Sequence, residues 1–229
     1  MAERALLTWS GGKDSVMALY ELQKTRSYQI SALLTTITKD YDRVSMHGVR
    51  RSLLEQQADS LGYPLEQVFI SKDASNEEYA AEMKTILEKY LKAGISTVVF
   101  GDIFLEDIRR YREENLSNIG MRAVFPLWKR NTDELAQTFV GLGFKAVVTC
   151  VDSKFLGKAF VGRLFDQRFL SELPSNVDPC GENGEFHSFV YAGPVFRESL
   201  SFEVGDVVLR DNRFYFCDLI PPAKPEEFK

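Results

Sequence analysis

The sequence predicts an α/β protein, an open doubly wound parallel sheet followed by a smaller α+β C-terminal subdomain. Three observations carry this. Short apolar runs rich in β-branched residues alternate with segments of helical period from Arg4 to Cys150. The first apolar run passes into the first helical segment through the hexapeptide "SGGKDS", Ser10 to Ser15. Beyond Val151 the alternation gives way to a basic, aromatic stretch, a loop dense in turn residues, and hairpin-like strands. The expected division is residues 1–150 for the parallel-sheet domain and 151–229 for the subdomain.

Taken in order, "RALLTW" (Arg4 to Trp9) reads as a strand. From Asp14 the pattern is helical, with Val16, Leu19 and Tyr20 at spacings of three and four. "YQISALLTTIT" (Tyr28 to Thr38) is a second strand, and Val49, Leu53, Leu54, Ala58 and Leu61 then share one helical face before Gly62. "PLEQVFI" is a third strand. The next helix opens with Ser75 and Glu78 in capping-box spacing and closes at Gly94. "STVVFGDI", a charged helix from Leu105 to Asn118, "RAVFPL", the helix "TDELAQTFVGLG" and "FKAVVTC" continue the alternation, which implies a parallel sheet covered on both faces. The stretch from Asp152 to Pro174 reads as helical, and "PPAKPEEFK" at the end as a mobile tail.

Composition narrows the classes of function. The 229 residues are 45% hydrophobic and 27% charged, which suits a well-packed globular chain and excludes a disordered or collagenous one. A net charge of -5 argues against broad nucleic-acid binding, which normally needs an excess of Lys and Arg. Without an apolar segment of spanning length or a cleavable leader pattern, no membrane partner is expected and the location is read as cytoplasmic. Cys150, Cys180 and Cys217 are too far apart for a zinc ribbon and odd in number, so each is read as a reduced thiol. A homodimer is left open.

The hexapeptide is the most informative motif. It is not a Walker loop, because Leu7 and Asp14 stand where that pattern requires a glycine and a hydroxyl residue; it is not G-x-G-x-x-G, because Lys13 and Val16 replace the later glycines. It still has the parts of an anion cradle. Gly11 and Gly12 let backbone N–H groups turn inward, and the helix that follows aims its positive end at the same place. Lys13 adds a mobile charge, Ser10 and Ser15 add hydroxyl donors, and Asp14 can orient the loop or hold magnesium. A plain strand-to-helix turn is the competing reading.

With "SGGKDS" between a first strand and a first helix, the chain resembles the ATP pyrophosphatases of the adenine nucleotide alpha-hydrolase group. The stretches "MHGVR" (Met46 to Arg50), "FGDI" (Phe100 to Ile103), "PLW" (Pro126 to Trp128), "GFKAVV" (Gly143 to Val148) and "GENGEF" (Gly181 to Phe186) narrow the resemblance to the diphthine-ammonia ligase family. That resemblance implies an adenine nucleotide alpha-hydrolase-like fold, ATP with Mg2+ as cofactors, and amidation of a carboxylate by ammonium through an acyl-adenylate, with diphthine on elongation factor 2 as the implied acceptor. Lys13 and Asp14 would then serve leaving pyrophosphate, and Glu182 and Glu185 would bind ammonium and take its proton. Solvated turn acids are the alternative for the two glutamates. Strand ends meeting at the crevice would place Thr8, Trp9, Thr35, Thr36, Gly101, Asp102 and Thr149 around the nucleotide. Asp102 could equally cap the next helix. His47 and His187, the only histidines, both fall in these motifs and receive no proton-transfer role. Lys154, Lys158, Arg163 and Arg168 are read as a solvated helix face in preference to an anion-binding patch. Two alternatives remain at this level: a tRNA-thiolating ATP pyrophosphatase and a non-enzymatic nucleotide-binding module.

Overall fold

The computed structural model describes residues 2–222, so residues 223–229, most of the expected C-terminal tail, lie outside the described residues. In chain order the elements are β1 (Glu3–Thr8), α1 (Lys13–Thr25), β2 (Tyr28–Thr38), β3 (Arg43–Val44), α2 (Arg51–Leu61), β4 (Leu65–Ile70), α3 (Asn76–Lys92), β5 (Thr97–Val99), α4 (Glu106–Ser117), β6 (Arg122–Val124) and α5 (Thr132–Gly141). There follow β7 (Lys145–Asp152), a single 3-10 turn (Lys158–Phe160), α6 (Gln167–Glu172), β8 (Phe186–Ala192), β9 (Glu203–Arg210) and β10 (Phe214–Ile220).

The first sheet is parallel in the order β4-β2-β1-β5-β6, with β3 adding a short antiparallel pair, Ile37 opposite Val44, to the end of β2. Alternation along β1 explains why both faces are covered. Ala5 and Leu7 join Val16 and Leu19 of α1 in one core, while Leu6 joins Leu34 and Val98 in a second core on the other face. Because β2 and β5 flank β1 on opposite sides, the winding reverses between β1 and β5, and the carboxyl ends there form the crevice in which doubly wound sheets bind ligands. The capping box at α3 forms as its sequence spacing requires: Ser75 accepts from the Glu78 amide and Glu78 from the Ser75 amide.

Two segments differ from their sequence expectation. The apolar run "FKAVVTC" becomes β7, which lies in a second, antiparallel sheet of order β8-β7-β10-β9 and not in the parallel sheet. Ala146 to Asp152 are buried there as well, on a strand hydrogen-bonded between β8 and β10, with Ala146, Val147, Val148 and Val151 in the core shared with α5 and Phe165. The basic stretch after Asp152 is largely irregular. Its residues Gly162 to Phe165 run along β7, with Gly162 and Phe165 amides donating to the Val148 and Ala146 carbonyls, and Gly162 sits at φ +80°. Only the six residues of α6, capped by Asp166 accepting from the Phe169 amide, become helix. One core cluster runs from β1 and α1 through α5 to Phe165, Phe186 and Phe189, so the second sheet packs against the glycine-loop side of the first.

Candidate active site at the glycine loop

The loop between β1 and α1 is tied down from three sides. Gln57, fully buried in α2, donates from Nε2 to the Gly11 carbonyl (3.1 Å) and the Val190 carbonyl (2.6 Å) and accepts from the Trp9 indole (2.6 Å). The Val190 amide also donates to the Gly11 carbonyl at 2.9 Å, joining the loop to β8. Gly11 has φ +79°, and a Cβ there would lie 2.7 Å from Leu54 Cδ1 and 2.9 Å from Gln57 Oε1. Glycine is therefore required both by conformation and by space. Gly12 caps α1 without a side-chain bond, the Ser10 and Ser15 hydroxyls bond each other at 2.9 Å, and the Lys13 amide takes the Ser188 hydroxyl at 3.3 Å. The Gly12 and Lys13 amides thus donate only to hydroxyl oxygens, at 3.3 Å each, and a helix start without a side-chain cap is where an anion can take such amides over.

Lys13 itself is buried. Its Nζ lies 2.9 Å from Asp14 Oδ2 and 3.0 Å from Oδ1, donates to the Cys180 carbonyl, and sits 5.3 Å and 6.0 Å from the ring centres of Phe186 and Phe165. Burial opposes its charge, yet Asp14 and the neighbouring negative groups hold its pKa above the usual lysine value. Burial also pushes the Asp14 carboxyl up, and Lys13 pulls against that rise.

The Cys180 carbonyl is aimed by a braced turn. Asp178 Oδ1 accepts from the Cys180 and Glu182 amides at 2.9 and 3.2 Å, and Oδ2 accepts from the Thr132 hydroxyl at 2.6 Å. Glu185, 1% exposed, accepts from the Asp178 amide and the Asn183 amide group, both at 3.0 Å, and its second oxygen is buried without a partner. Glu182 reaches across to the end of β5, accepting from the Ile103 amide at 2.7 Å and the Phe104 amide at 3.2 Å. Burial raises its pKa to about 7; those two amides lower it and the nearby Asp14 adds to the rise.

The imidazoles of His47 and His187 lie against each other, ring centres 4.4 Å apart and planes tilted by 40°. A Cβ on Gly12 would be 3.3 Å from His47 Cε1, so the pair lines the loop. Burial pushes both down, His187 to about 4, with Lys13 adding to the fall and His187 also acting on His47.

Comparison with known proteins gives the family. Residues 3–123 match the family model "Diphthamide synthase N-terminal domain" and residues 131–216 the model "Diphthamide synthase C-terminal domain". The chain belongs to the diphthamide synthase family. Relatives named diphthine--ammonia ligase include those of Homo sapiens, 25% identical over 87% of this chain and 83% of that protein, and Danio rerio, 23% identical over 89% and 88%. A Schizosaccharomyces pombe relative of the same name is 26% identical over 65% of this chain and 25% of its own length. A tRNA methyltransferase subunit from Methanocaldococcus jannaschii overlays 59% of this chain and 73% of its own at 18% identity with a TM-score of 0.36, a likeness too slight to carry an argument.

Within this diphthamide synthase chain the sequence-selected residues divide into two groups. Ser10 to Ser15 and Glu182 converge at the crevice, and Thr35, buried with an unpartnered hydroxyl, and Thr36 lie near the end of β2. The others hold structure. The Trp9 indole points into the core onto Gln57, and the Thr8 hydroxyl donates to the Val99 carbonyl at 3.0 Å. Gly101 leaves room for α1, since a Cβ there would be 2.9 Å from the Asp14 carbonyl carbon. Asp102 neither caps α4 nor is free: it pairs with Arg112 at 3.0 Å. Thr149 lies in the second sheet, at a register shift, with its hydroxyl 3.4 Å from the His187 carbonyl. Arg163 and Arg168 both pair with Glu172 at 2.8 Å, which leaves no four-residue basic face. Both Asp14 oxygens accept from Lys13, and no three His, Cys, Asp or Glu side chains among the described residues converge as metal ligands, so the donor set does not fit a protein-held magnesium. Gln57, Ser188 and Asp178 were not selected from sequence. Gln57 alone carried a signal, as a polar residue on the apolar stripe with Leu53 and Leu54. A surface cavity of about 500 Å³ lined by Ala2, Gln23, Tyr28 and Tyr63 lies at the opposite, amino-terminal end of β1.

Proposed function

We propose that this chain activates a carboxylate with ATP and converts it to an amide with ammonium, releasing AMP and pyrophosphate. The observation that carries the reading is the uncapped start of α1, with Lys13 and the Glu182 carboxylate beside it, at the switch point of the parallel sheet. Family membership and the names of the relatives support the reaction class.

A carboxylate is already a nucleophile, so the first step needs position and charge stabilisation more than a base. The amides of Gly11 to Ser15 and the Lys13 ammonium would take the leaving pyrophosphate as its charge develops. In the second step ammonium gives a proton to Glu182, whose pKa near 7 suits proton acceptance at neutral pH. Ammonia then attacks the acyl carbon, the carbon–oxygen bond to AMP breaks with its electron pair leaving on AMP, and the nitrogen loses its second proton to solvent. Glu185 braces the turn and leaves the proton to Glu182. The acceptor, which we take to be diphthine on elongation factor 2, would approach from the second sheet, most of which falls in residues 151–229.

Thiolation is disfavoured by the cysteines. All three are buried, and burial pushes the Cys150 thiol up to about 12 and the Cys180 thiol higher still, whereas sulfur transfer needs thiolates. Incubation with α-labelled ATP, ammonium chloride and diphthine-bearing acceptor should move label into AMP. Label appearing only in ADP would overturn the reading.

A further inference from the structure

The structure assigns the chamber now filled by the Lys13 Nζ, between the Cys180 carbonyl, the Asp14 carboxylate and the faces of Phe186 and Phe165, as the binding site for the ammonium substrate. This rests on the amidation reading and says where the nitrogen donor waits. Lysine Nζ is an alkylated ammonium, and it reports what the chamber accepts. A carboxylate lies 2.9 Å away, a carbonyl is aimed inward, and two aromatic faces lie within 6.0 Å of the charge. Carboxylate, carbonyl and ring face together recognise a small, poorly directional cation. Glu182 adds negative charge within electrostatic reach of Lys13.

The carbonyl and ring walls of the chamber are held independently of Lys13. Asp178 Oδ1 fixes the Cys180 and Glu182 amides, and Gly181, at φ +66°, turns the carbonyl inward where a Cβ would lie 2.8 Å from the Phe186 carbonyl oxygen. Phe186 and Phe165 are 1% and 2% exposed. A lysine side chain is long and flexible, and Lys13 stands on the first turn of α1. When triphosphate occupies the helix start, Lys13 has a stronger counter-charge there. Its departure would strand Asp14 and Glu182 as uncompensated carboxylates in a largely dry site, a costly state that an ammonium ion relieves. Nucleotide therefore binds before ammonium, and the cation site opens only once the phosphates hold Lys13.

Thallium(I), an ammonium-sized cation with a strong anomalous signal, tests the site without catalysis. In nucleotide-free crystals of the full-length Lys13→Ala variant soaked in thallium(I) acetate, thallium should occupy the former Nζ position; thallium bound elsewhere with that position empty overturns the assignment. Kinetics give a second arm. Phe186→Leu or Phe165→Leu, whichever keeps a cooperative thermal transition, should raise the ammonium KM about tenfold and leave the ATP KM within about twofold. An unchanged ammonium KM, or both KM values rising together, contradicts the site. If no acceptor yields AMP, the ligase reading fails instead, and the thallium position still decides whether the chamber holds a cation.

Discussion

At the scale of residues, the account turns on Glu182, a carboxyl whose burial raises its pKa to about 7 while two backbone amides keep it aimed at the end of β5. The amidation rate of the wild-type chain should rise between pH 6 and 8 as this group loses its proton. Glu182→Gln should lower the rate by about 10²–10⁴-fold and flatten that rise, measured as AMP formed at saturating ATP. Stability moves the other way. A carboxyl whose folded pKa exceeds the unfolded value contributes most at low pH, and the contribution is lost as pH rises from 4.5 through about 7, so Glu182→Gln should gain relative stability over that range. Lys13→Ala should abolish turnover and keep the fold at a lower thermal stability, because it removes the counter-charge of Asp14 while no core strand hangs on it. The glycine loop and Glu182 stand out in sequence because their motifs are local, and the fold brings Glu182 within electrostatic reach of Lys13. The side-chain directions of Trp9, Thr8 and Asp102, onto Gln57, Val99 and Arg112, were not readable, because a strand end specifies depth in the sheet but not which way a side chain turns.

The elements explain how the loop and the histidine pair meet. Residues from β3 to the start of α2 fold against β10, where Arg43 and Arg50 pair with Asp218 at 2.9 and 2.7 Å and Gly48 admits Phe216, with space for no Cβ (2.6 Å). This clamp holds His47 over Gly12. The Arg50 hydrogen bond first, then Arg43, lowers the Asp218 pKa to about 2, so its contribution to stability is present above the unfolded value of 3.8 and lost as pH falls through about 2. Asp218→Asn should cost about 1–3 kcal/mol in denaturant unfolding at pH 7, and the difference from wild type should shrink as pH approaches 2. Equal losses at pH 7 and pH 2 would remove the clamp from the account. None of this was readable from one sequence, since Arg50 and Asp218 are 168 positions apart and meet only through the second sheet. The β7 run was ambiguous for a related reason: a strand buried on both faces reads alike in a parallel sheet and in an antiparallel sheet covered on both sides.

At the scale of the whole molecule, two sheets divide the work. The parallel sheet supplies the helix start proposed to receive phosphates, and the second sheet supplies Ser188, His187 and the turn that carries Glu182, so the groups of the proposed site face each other across the packed boundary. The alternation of strand and helix made the first sheet legible, and the broken alternation after Val151 marked the second without fixing its topology. The central claim is that the acceptor carboxylate attacks the α-phosphorus of ATP at the glycine loop. Diphthine-bearing acceptor labelled with 18O in its carboxylate tests it most directly when the nucleotide products are weighed by mass spectrometry. The account predicts one 18O atom transferred to AMP for each amide formed; 18O in inorganic phosphate, with ADP as the nucleotide product, would contradict it.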